Sequence, residues 1–298
     1  MSKFDQFNVF STNYKTVEVG IPVDILIPRG LSPGTYPSIV RFHGGGYTHN
    51  IDILMKDVSE SHYFLPDYRF IPESTGLDIL DGLDDLWTWL HTEMPNSLEW
   101  ATTTTISANS GQLMTVGDSA GWLSVDFAMG HAAETRACIG EFPSFDPQSP
   151  GFTKPEPPNS NPNGSQYPES TIDNHLAKCT TGSVVASDPT LSRFPIIGAM
   201  MEHGRFLDYF GRATKLLPLE RLNAGDKTLL LFIIHGLQDS VVPVEGSEKF
   251  VQKVLEQDLK TKVQLSLYPG DHGLDIPFNL DHPWLADGLK LVIPSWLG

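Results

Sequence analysis

The chain has 298 residues, of which 20 are Lys or Arg and 36 are Asp or Glu, so its formal net charge at pH 7 is −16. A negative field of this size repels phosphate backbones and anionic membrane surfaces, so nucleic acid is not expected as a partner. Hydrophobic residues make up 40% of the chain, as in globular proteins, and two cysteines are too few for a disulfide scaffold or a four-cysteine zinc site.

The chain shows no sign of a targeting or membrane segment. Its first ten residues contain no apolar run of signal-peptide length, and the strongly apolar run over residues 228–234 is far shorter than a membrane span. Because two cysteines also suit a reducing compartment, we expect a soluble cytoplasmic protein without a membrane span.

Short apolar runs alternate with segments of helical periodicity along the chain. Strands are predicted over residues 14–19, 23–27, 38–42, 62–65, 113–116, 137–140, 228–235 and 263–268. Helices are predicted over residues 76–90, 121–133, 171–178, 195–210, 245–259 and 282–296, the last broken at Pro294. Continuous apolar runs suit strands that are buried on both faces of a parallel sheet. The sequence therefore predicts one α/β domain over residues 1–298, with a mostly parallel central sheet flanked by helices.

The stretch from residue 146 to residue 168 interrupts this alternation with seven prolines. Proline at that density excludes a regular helix or strand. One interpretation is a disordered linker between two domains. Because the flanking strands are predicted to belong to one sheet, we favour a lid inserted at about residues 144–222 and folded over that sheet.

The pentapeptide Gly117-Asp118-Ser119-Ala120-Gly121 follows a predicted strand and opens a predicted helix, which is the context of a nucleophile elbow. A strand that turns sharply into a helix pushes the hydroxyl of its serine outward, and small flanking residues let the chain pass closely. An ordinary glycine-rich helix start remains the alternative for this motif by itself.

A run of three glycines, Gly44 to Gly46, follows His43 directly after an earlier predicted strand. Consecutive glycines leave their backbone N–H groups unobstructed, so they can bind a developing oxyanion. A flexible glycine turn is the other interpretation of the run. Its position upstream of the Ser119 pentapeptide is the pairing found in lipases and esterases.

A serine nucleophile needs a base near neutral pH, and the base needs an acid to orient it. In this architecture the expected chain order is nucleophile, acid, base. Asp239 lies at the carboxyl end of a predicted buried strand, and His272 lies in a Gly/Pro loop just past the next strand. The sequence therefore predicts a triad of Ser119, Asp239 and His272. Asp271 is set aside because adjacent residues rarely face each other, and His235 is interpreted as a buried structural histidine.

The motifs of metal and cofactor sites are missing from the sequence. It contains no His-Glu-x-x-His, no paired cysteines, no Gly-x-Gly-x-x-Gly and no phosphate-binding loop. The sequence therefore predicts neither a metal nor a cofactor.

With these residues the chain resembles the α/β-hydrolases of the hormone-sensitive-lipase-like esterase family. The resemblance rests on the His43 glycine run, on the Ser119 pentapeptide, and on the Asp-Tyr-Arg-Phe-Ile-Pro-Glu segment at residues 67–73, which is similar to the family's Asp-Tyr-Arg-Leu-Ala-Pro-Glu. It covers about residues 15–143 and 226–290. It implies an inserted lid on an α/β-hydrolase fold, the triad named above, and an oxyanion hole formed by the N–H groups of Gly44, Gly45 and Ala120. It also allows a homodimer, although the sequence indicates no interface.

Three features depart from that family. Trp122 stands where the family has a second glycine after the elbow, and the N-terminal extension is too short for the family's lid helices. The segment around Asp239, with Val242 and Pro243, looks more like prolyl-oligopeptidase-type hydrolases. The chain has no room for their propeller, so peptidase activity is not expected.

The activity predicted is cleavage of a carboxylic ester of a small, largely apolar or aromatic metabolite through an acyl-enzyme. Tyr47, Trp122, Met200 and Phe206 are expected to line the substrate pocket, and no cationic clamp for an anionic acyl group is expected. Hydrolysis of an amide, formamide, lactone or thioester stays open. So does a non-hydrolytic cyclisation or dehydration on the same scaffold, and so does a non-enzymatic ligand receptor.

Overall fold

The computed structural model describes residues 5–45, 60–102, 105–155, 167–188, 192–226, 229–274 and 282–298. Within these ranges the chain forms an eight-stranded sheet with the strand order β1-β2-β4-β3-β5-β6-β7-β8. The strands are β1 (Phe7–Thr16), β2 (Gly20–Pro28), β3 (Gly34–Phe42), β4 (His62–Pro66), β5 (Ile106–Asp118), β6 (Thr135–Glu141), β7 (Leu231–Gly236) and β8 (Val263–Tyr268). The pairs β1–β2 and β2–β4 are antiparallel, whereas all pairs from β4 across to β8 are parallel.

Helices cover both faces of this sheet. They are α1 (Gly76–Thr92), α2 (Met94–Ala101), α3 (Leu123–Gly130), α4 (Pro150–Thr153), α5 (Ser170–Leu176), α6 (Phe194–Glu202), α7 (Phe206–Phe210), α8 (Pro218–Asn223), α9 (Glu245–Gln257) and α10 (Pro283–Leu297). In the part of the chain described above, no helix combines the length and the apolar character needed to cross a membrane.

The side chains of β7 show why its first four residues, Leu231 to Ile234, are all apolar. Leu231 and Ile233 belong to the hydrophobic cluster on one face of the sheet, and Phe232 and Ile234 belong to the cluster on the other. Successive residues of a strand point to opposite faces, so a strand covered on both sides needs an apolar residue at every position.

The segment between β6 and β7, residues 142–230, carries the short helices α4 to α8, and we call it the β6–β7 insertion. It packs onto the body through buried residues that include Ile172, Ile196, Met200 and Phe210. The single helix predicted over residues 195–210 is wrong, because α6 and α7 are separate and Gly204 between them has a positive φ of 63°.

Other boundaries also differ from the prediction. The closing helix does not break at Pro294 but continues to Leu297, and the fully buried Trp296 anchors its last turn by donating from Nε1 to the Gln112 carbonyl over 2.7 Å. Strand β1 begins at Phe7 instead of residue 14, and helix α2 was not predicted.

The parallel strands bring their carboxyl ends to one edge of the sheet. His43 follows β3, Ser119 follows β5, Asp239 follows β7 and His272 follows β8. Residues that are up to 229 positions apart in the chain therefore meet at this edge.

Candidate active site

Ser119 lies on a sharp turn between β5 and a 3-10 turn that leads into α3. Its φ is 56°, in the left-handed region that non-glycine residues rarely adopt. A Cβ on Gly117 would lie 2.0 Å from the Gly121 carbonyl oxygen, and one on Gly121 would lie 2.6 Å from the Phe42 carbonyl oxygen. The backbones at this turn approach so closely that only glycine fits on either side of the serine.

The three residues predicted as a triad are connected through the His272 ring, which lies within hydrogen-bond distance of both Ser119 and Asp239. His272 Nε2 is 3.1 Å from Ser119 Oγ, and His272 Nδ1 is 2.8 Å from Asp239 Oδ2. Because a carboxylate can only accept, Nδ1 carries the proton and Nε2 is left to accept from the serine hydroxyl. This tautomer is the one that a general base for Ser119 requires.

Asp239 has a fully buried side chain, and its ionised form is well satisfied there. Oδ1 accepts from the backbone N–H groups of Val241 and Val242 at 2.9 and 2.8 Å. Burial alone would raise the pKa of Asp239, but hydrogen bonds from His235 and His272 outweigh it and hold that pKa well below its usual range. The group that orients His272 is therefore ionised at neutral pH.

His235 contacts the candidate triad, which the sequence analysis did not foresee. Its side chain is fully buried, as predicted, and Nε2 lies 3.0 Å from the Val242 carbonyl oxygen and 3.3 Å from Asp239 Oδ2. Both of these neighbours accept, so Nε2 is the protonated nitrogen, and Nδ1 accepts from Ser247 Oγ at 2.8 Å. His235 and His272 thus both contact Oδ2 of Asp239. The only signal in the sequence was a histidine at a strand end four residues before the acid.

The prediction that Gly44 donates to an oxyanion is wrong. Its backbone N–H already donates to Asp118 Oδ2 at 2.9 Å, and a Cβ on Gly44 would lie 2.6 Å from that same oxygen. Gly45 and Ala120, the other two predicted donors, line the cavity beside Ser119. Gly46 lies outside the described residues.

The Asp118 carboxylate belongs to a buried charged network beneath the glycine run. Arg41 Nη2 lies 3.0 Å from Asp118 Oδ1 and 3.1 Å from Glu141 Oε2. Burial raises the pKa of Asp118, the Glu141 carboxylate adds to this, and against the opposing effect of Arg41 the result is a pKa of about 7. The Arg41 guanidinium therefore lies against two carboxylates, those of Asp118 and Glu141. The proton affinity of Asp118 is high for an aspartate.

The segment that resembles Asp-Tyr-Arg-Leu-Ala-Pro-Glu supports the same loop. The Tyr68 hydroxyl donates to the His43 carbonyl oxygen at 2.7 Å, and the two rings stack with their centroids 4.3 Å apart. Burial lowers the pKa of His43 to about 4, so this histidine is neutral at pH 7. Its role here is to pack the loop and not to transfer protons.

A cavity of about 150 Å³ opens beside Ser119. Its apolar wall comes from both the body and the β6–β7 insertion, and consists of Phe70, Ile71, Ile79, Trp122, Leu123, Phe152, Ile197, Met201, Phe206, Phe210, Val241 and Val242. Of the four predicted pocket residues, Trp122 and Phe206 line it and Tyr47 lies outside the described residues. The prediction for Met200 is wrong, because Met200 is fully buried in the core and its neighbour Met201 faces the cavity.

Two arginines, Arg69 and Arg193, also line this cavity, and they bear on the expectation that it holds no cationic clamp for an anionic acyl group. Arg193 contacts both oxygens of Glu73, at 2.8 and 2.5 Å. Arg69 lies 3.1 Å from Asp81 Oδ2 and also donates to the Asp78 carbonyl oxygen. Both guanidinium charges are therefore compensated by carboxylates of the protein.

The chain is similar in sequence to several known proteins, although no protein-family model matches it. The chain is 26% identical to a probable carboxylesterase M8 of Phoma sp. over 99% of this chain and 98% of that protein. It is also 25% identical to a non-reducing polyketide synthase of Preussia isomera, over 96% of this chain but only 14% of the synthase.

Among solved structures, a Staphylococcus aureus protein of unknown function matches with a TM-score of 0.66 at 18% identity, over 96% of this chain and 98% of that one. A butyrate-bound esterase of Thermogutta terrifontis matches with a TM-score of 0.57 at 15% identity, over 99% and 95%. The chain has an α/β-hydrolase fold. The fold class predicted from the sequence is thereby confirmed, whereas membership of the hormone-sensitive-lipase-like family stays a prediction.

Proposed function

We propose that the protein is a serine hydrolase that cleaves carboxylic esters of small, largely apolar or aromatic molecules. The observation that carries this proposal is the continuous hydrogen-bonded series from Ser119 Oγ through the His272 ring to the buried, ionised Asp239 carboxylate. The similarity to a protein named as a probable carboxylesterase and to a solved esterase favours esters over other acyl compounds.

In the proposed reaction Ser119 Oγ attacks the ester carbonyl carbon while His272 Nε2 takes the hydroxyl proton. The carbonyl oxygen becomes an oxyanion, which we assign to the backbone N–H groups of Gly45 and Ala120. The tetrahedral intermediate expels the alcohol, which receives the proton from His272, and leaves an acyl group on Ser119. Water then attacks the acyl-enzyme with His272 again as the base, which releases the acid and restores the serine hydroxyl.

The cavity supports an apolar or aromatic substrate. Its wall is formed mainly by aromatic and aliphatic side chains, and the two arginines in it are already compensated by carboxylates. A carboxylate on the substrate would have to compete with Glu73 for Arg193 or with Asp81 for Arg69, and the chain carries a net charge of −16. Neutral aryl esters and esters of medium-length acyl groups are therefore the preferred substrates in this proposal.

The test is turnover of a set of neutral aryl esters by the wild type and by Ser119→Ala, with covalent labelling by a fluorophosphonate as a second readout. Ser119→Ala should lose both turnover and labelling. Ser144→Ala is the matched control, because Ser144 also lines the cavity and its backbone N–H donates to the Ser119 carbonyl oxygen at 3.1 Å. Label on Ser144→Ala but not on Ser119→Ala supports the assignment, and equal turnover by Ser119→Ala and the wild type rejects it.

Thioester cleavage is the second candidate, because the same three residues can act on it and the chain is similar to a segment of a polyketide synthase. An oxygen ester and a thioester of the same acyl group separate the two candidates. A higher kcat/KM for the oxygen ester favours the carboxylesterase proposal, and a strong preference for the thioester favours the alternative.

A further inference from the structure

Three potential metal ligands from distant parts of the chain meet behind the cavity. Glu73 lies in the loop between β4 and α1, His175 lies in α5 of the β6–β7 insertion, and Cys179 follows α5. Glu73 Oε1 is 2.7 Å from His175 Nε2, and Cys179 Sγ is 3.4 Å from that nitrogen and 3.7 Å from that oxygen. The three ligand atoms thus lie together at the junction between the body and the insertion.

We propose that Glu73, His175 and Cys179 form a zinc site that ties the β6–β7 insertion to the body. Thiolate, imidazole and carboxylate are the protein ligands of zinc, with bond lengths of about 2.0 to 2.3 Å. Around a tetrahedral ion, such lengths place sulfur roughly 3.6 Å from a nitrogen or oxygen ligand, and nitrogen roughly 3.4 Å from oxygen. Both sulfur distances already match. Only the hydrogen-bonded contact between Glu73 and His175 has to widen, by about 0.7 Å.

The turn that ends α5 brings two of these ligands together. Cys179 lies three residues past the last residue of α5, and its Sγ is 3.4 Å from both His175 Nε2 and the His175 carbonyl oxygen. The His175 side chain is 24% exposed, whereas that of Glu73 is only 2% exposed. An ion can therefore reach the imidazole from solvent and bind the buried carboxylate behind it.

Arg193 holds the Glu73 carboxylate in place beside His175 and Cys179. Its Nη2 donates to Glu73 Oε2 at 2.5 Å and to the Ile71 carbonyl oxygen at 2.9 Å, and its Nη1 donates at 2.8 Å to Oε1, the oxygen that also faces His175 and Cys179. Carboxylates that bind metals are commonly fixed by such additional hydrogen bonds. Because Arg193 and Ile71 both line the cavity, an ion on Glu73 would stabilise the wall of the candidate active site.

The sequence predicted no metal site, because the residues of the site proposed here are too far apart in the chain to form a recognisable motif. Glu73 precedes His175 by 102 positions, so no local motif links them. The zinc proposal does not depend on the proposed esterase activity, and it is tested without an activity assay.

The experiment uses tag-free full-length protein that has been treated with a chelator and then titrated with zinc chloride alone. Elemental analysis after gel filtration should show one zinc per chain, and zinc should raise the melting temperature until a chelator is added. Cys179→Ser and His175→Ala should each weaken zinc binding at least tenfold. His91→Ala is the matched control, because His91 forms a His–Glu pair with Glu134 at 2.9 Å that has no thiol beside it.

Cobalt(II) gives a second readout, since a cobalt–thiolate bond absorbs in the near ultraviolet. This absorption should be present in the wild type and in His91→Ala but lost in Cys179→Ser, which still contains the buried Cys138. Circular dichroism establishes that each variant is folded. Wild-type protein that retains no zinc after gel filtration, or a folded Cys179→Ser that binds zinc as tightly as the wild type, would overturn the proposal.

Discussion

The carboxylate of Asp118 accepts a hydrogen bond from the backbone N–H of Gly44 over 2.9 Å. The residue that precedes the candidate nucleophile therefore holds the glycine run on which the proposed oxyanion site depends. The contact requires glycine, because a Cβ at position 44 would lie 2.6 Å from the Asp118 carboxylate and 2.9 Å from its carbonyl oxygen. Two motifs that are 74 residues apart thus form one unit at the end of the sheet.

The ionisation of Asp118 gives a prediction about stability and pH. In the unfolded chain this carboxyl loses its proton near its ordinary pKa of 3.8, whereas burial keeps the proton on the folded protein until about pH 7. Between these values the folded state binds more protons than the unfolded state, so this group lowers the free energy of unfolding as pH rises. The amide that replaces this carboxyl in the variant Asp118→Asn does not titrate. The melting temperature of the variant should therefore rise relative to that of the wild type as the pH increases from about 4 to about 7.

The comparison is made by thermal unfolding of both proteins in the same buffers across that range. Subtracting the two curves removes the titration of the other carboxyls that the variant shares with the wild type. A difference in melting temperature that is constant, or that moves in favour of the wild type as pH rises, would contradict the raised pKa of Asp118.

Asp239→Asn should reduce kcat by about 10⁴-fold with little change in KM. An amide in this position donates one of its hydrogens, so His272 is driven towards the tautomer that cannot accept from Ser119. Steady-state kinetics on an aryl ester measure the effect. Asp271→Asn is the control, because among the described residues its carboxylate accepts from the backbone N–H of His272 at 2.7 Å and from the N–H and hydroxyl of Ser240, and not from the His272 ring. Equal losses in the two variants would argue against Asp239 as the acid.

Gly121→Ala should be severely destabilising and Gly130→Ala should not. A Cβ on Gly121 would lie 2.6 Å from the Phe42 carbonyl oxygen, in the backbone of β3, whereas one on Gly130 at the end of α3 has no neighbour within 4 Å. We expect Gly121→Ala to lower the free energy of unfolding by about 3 kcal/mol or more. Gly130→Ala should raise it by up to about 1 kcal/mol, because alanine favours helix. Urea unfolding of the two variants checks both values, and similar midpoints would contradict the prediction.

Substitutions at the adjacent residues Met200 and Met201 should have different effects, one mainly on stability and the other mainly on substrate specificity. Met200 is fully buried, so Met200→Ala should lower the free energy of unfolding by about 2 to 5 kcal/mol without changing the preferred acyl chain length. Met201 faces the cavity, so Met201→Ala should shift the preference towards longer or bulkier acyl groups at a smaller loss of stability. The ratio of kcat/KM values across a series of acyl chain lengths measures the preference. A shifted ratio in Met200→Ala with an unchanged one in Met201→Ala would reverse the assignment.

Features that depend on a few consecutive residues were predictable from the sequence. The elbow is one, because its glycines and the serine between them lie within five positions and the steric requirement is local. The parallel strands are another, since burial on both faces leaves an uninterrupted apolar run such as that of β7. The positions of Asp239 and His272 could be predicted as well, because both follow parallel strands whose carboxyl ends meet at one edge of the sheet.

Contacts between distant segments were decided only by the tertiary structure. Helical periodicity places Met200 and Met201 on a helix, but both are apolar, and only the packing of α6 determines which one faces the cavity. The hydrogen bond from Gly44 to Asp118 and the ion pair between Arg193 and Glu73 join residues 74 and 120 positions apart. Such pairs leave no periodic or local signal in the sequence, because each residue is satisfied by a partner that only the folded chain brings near.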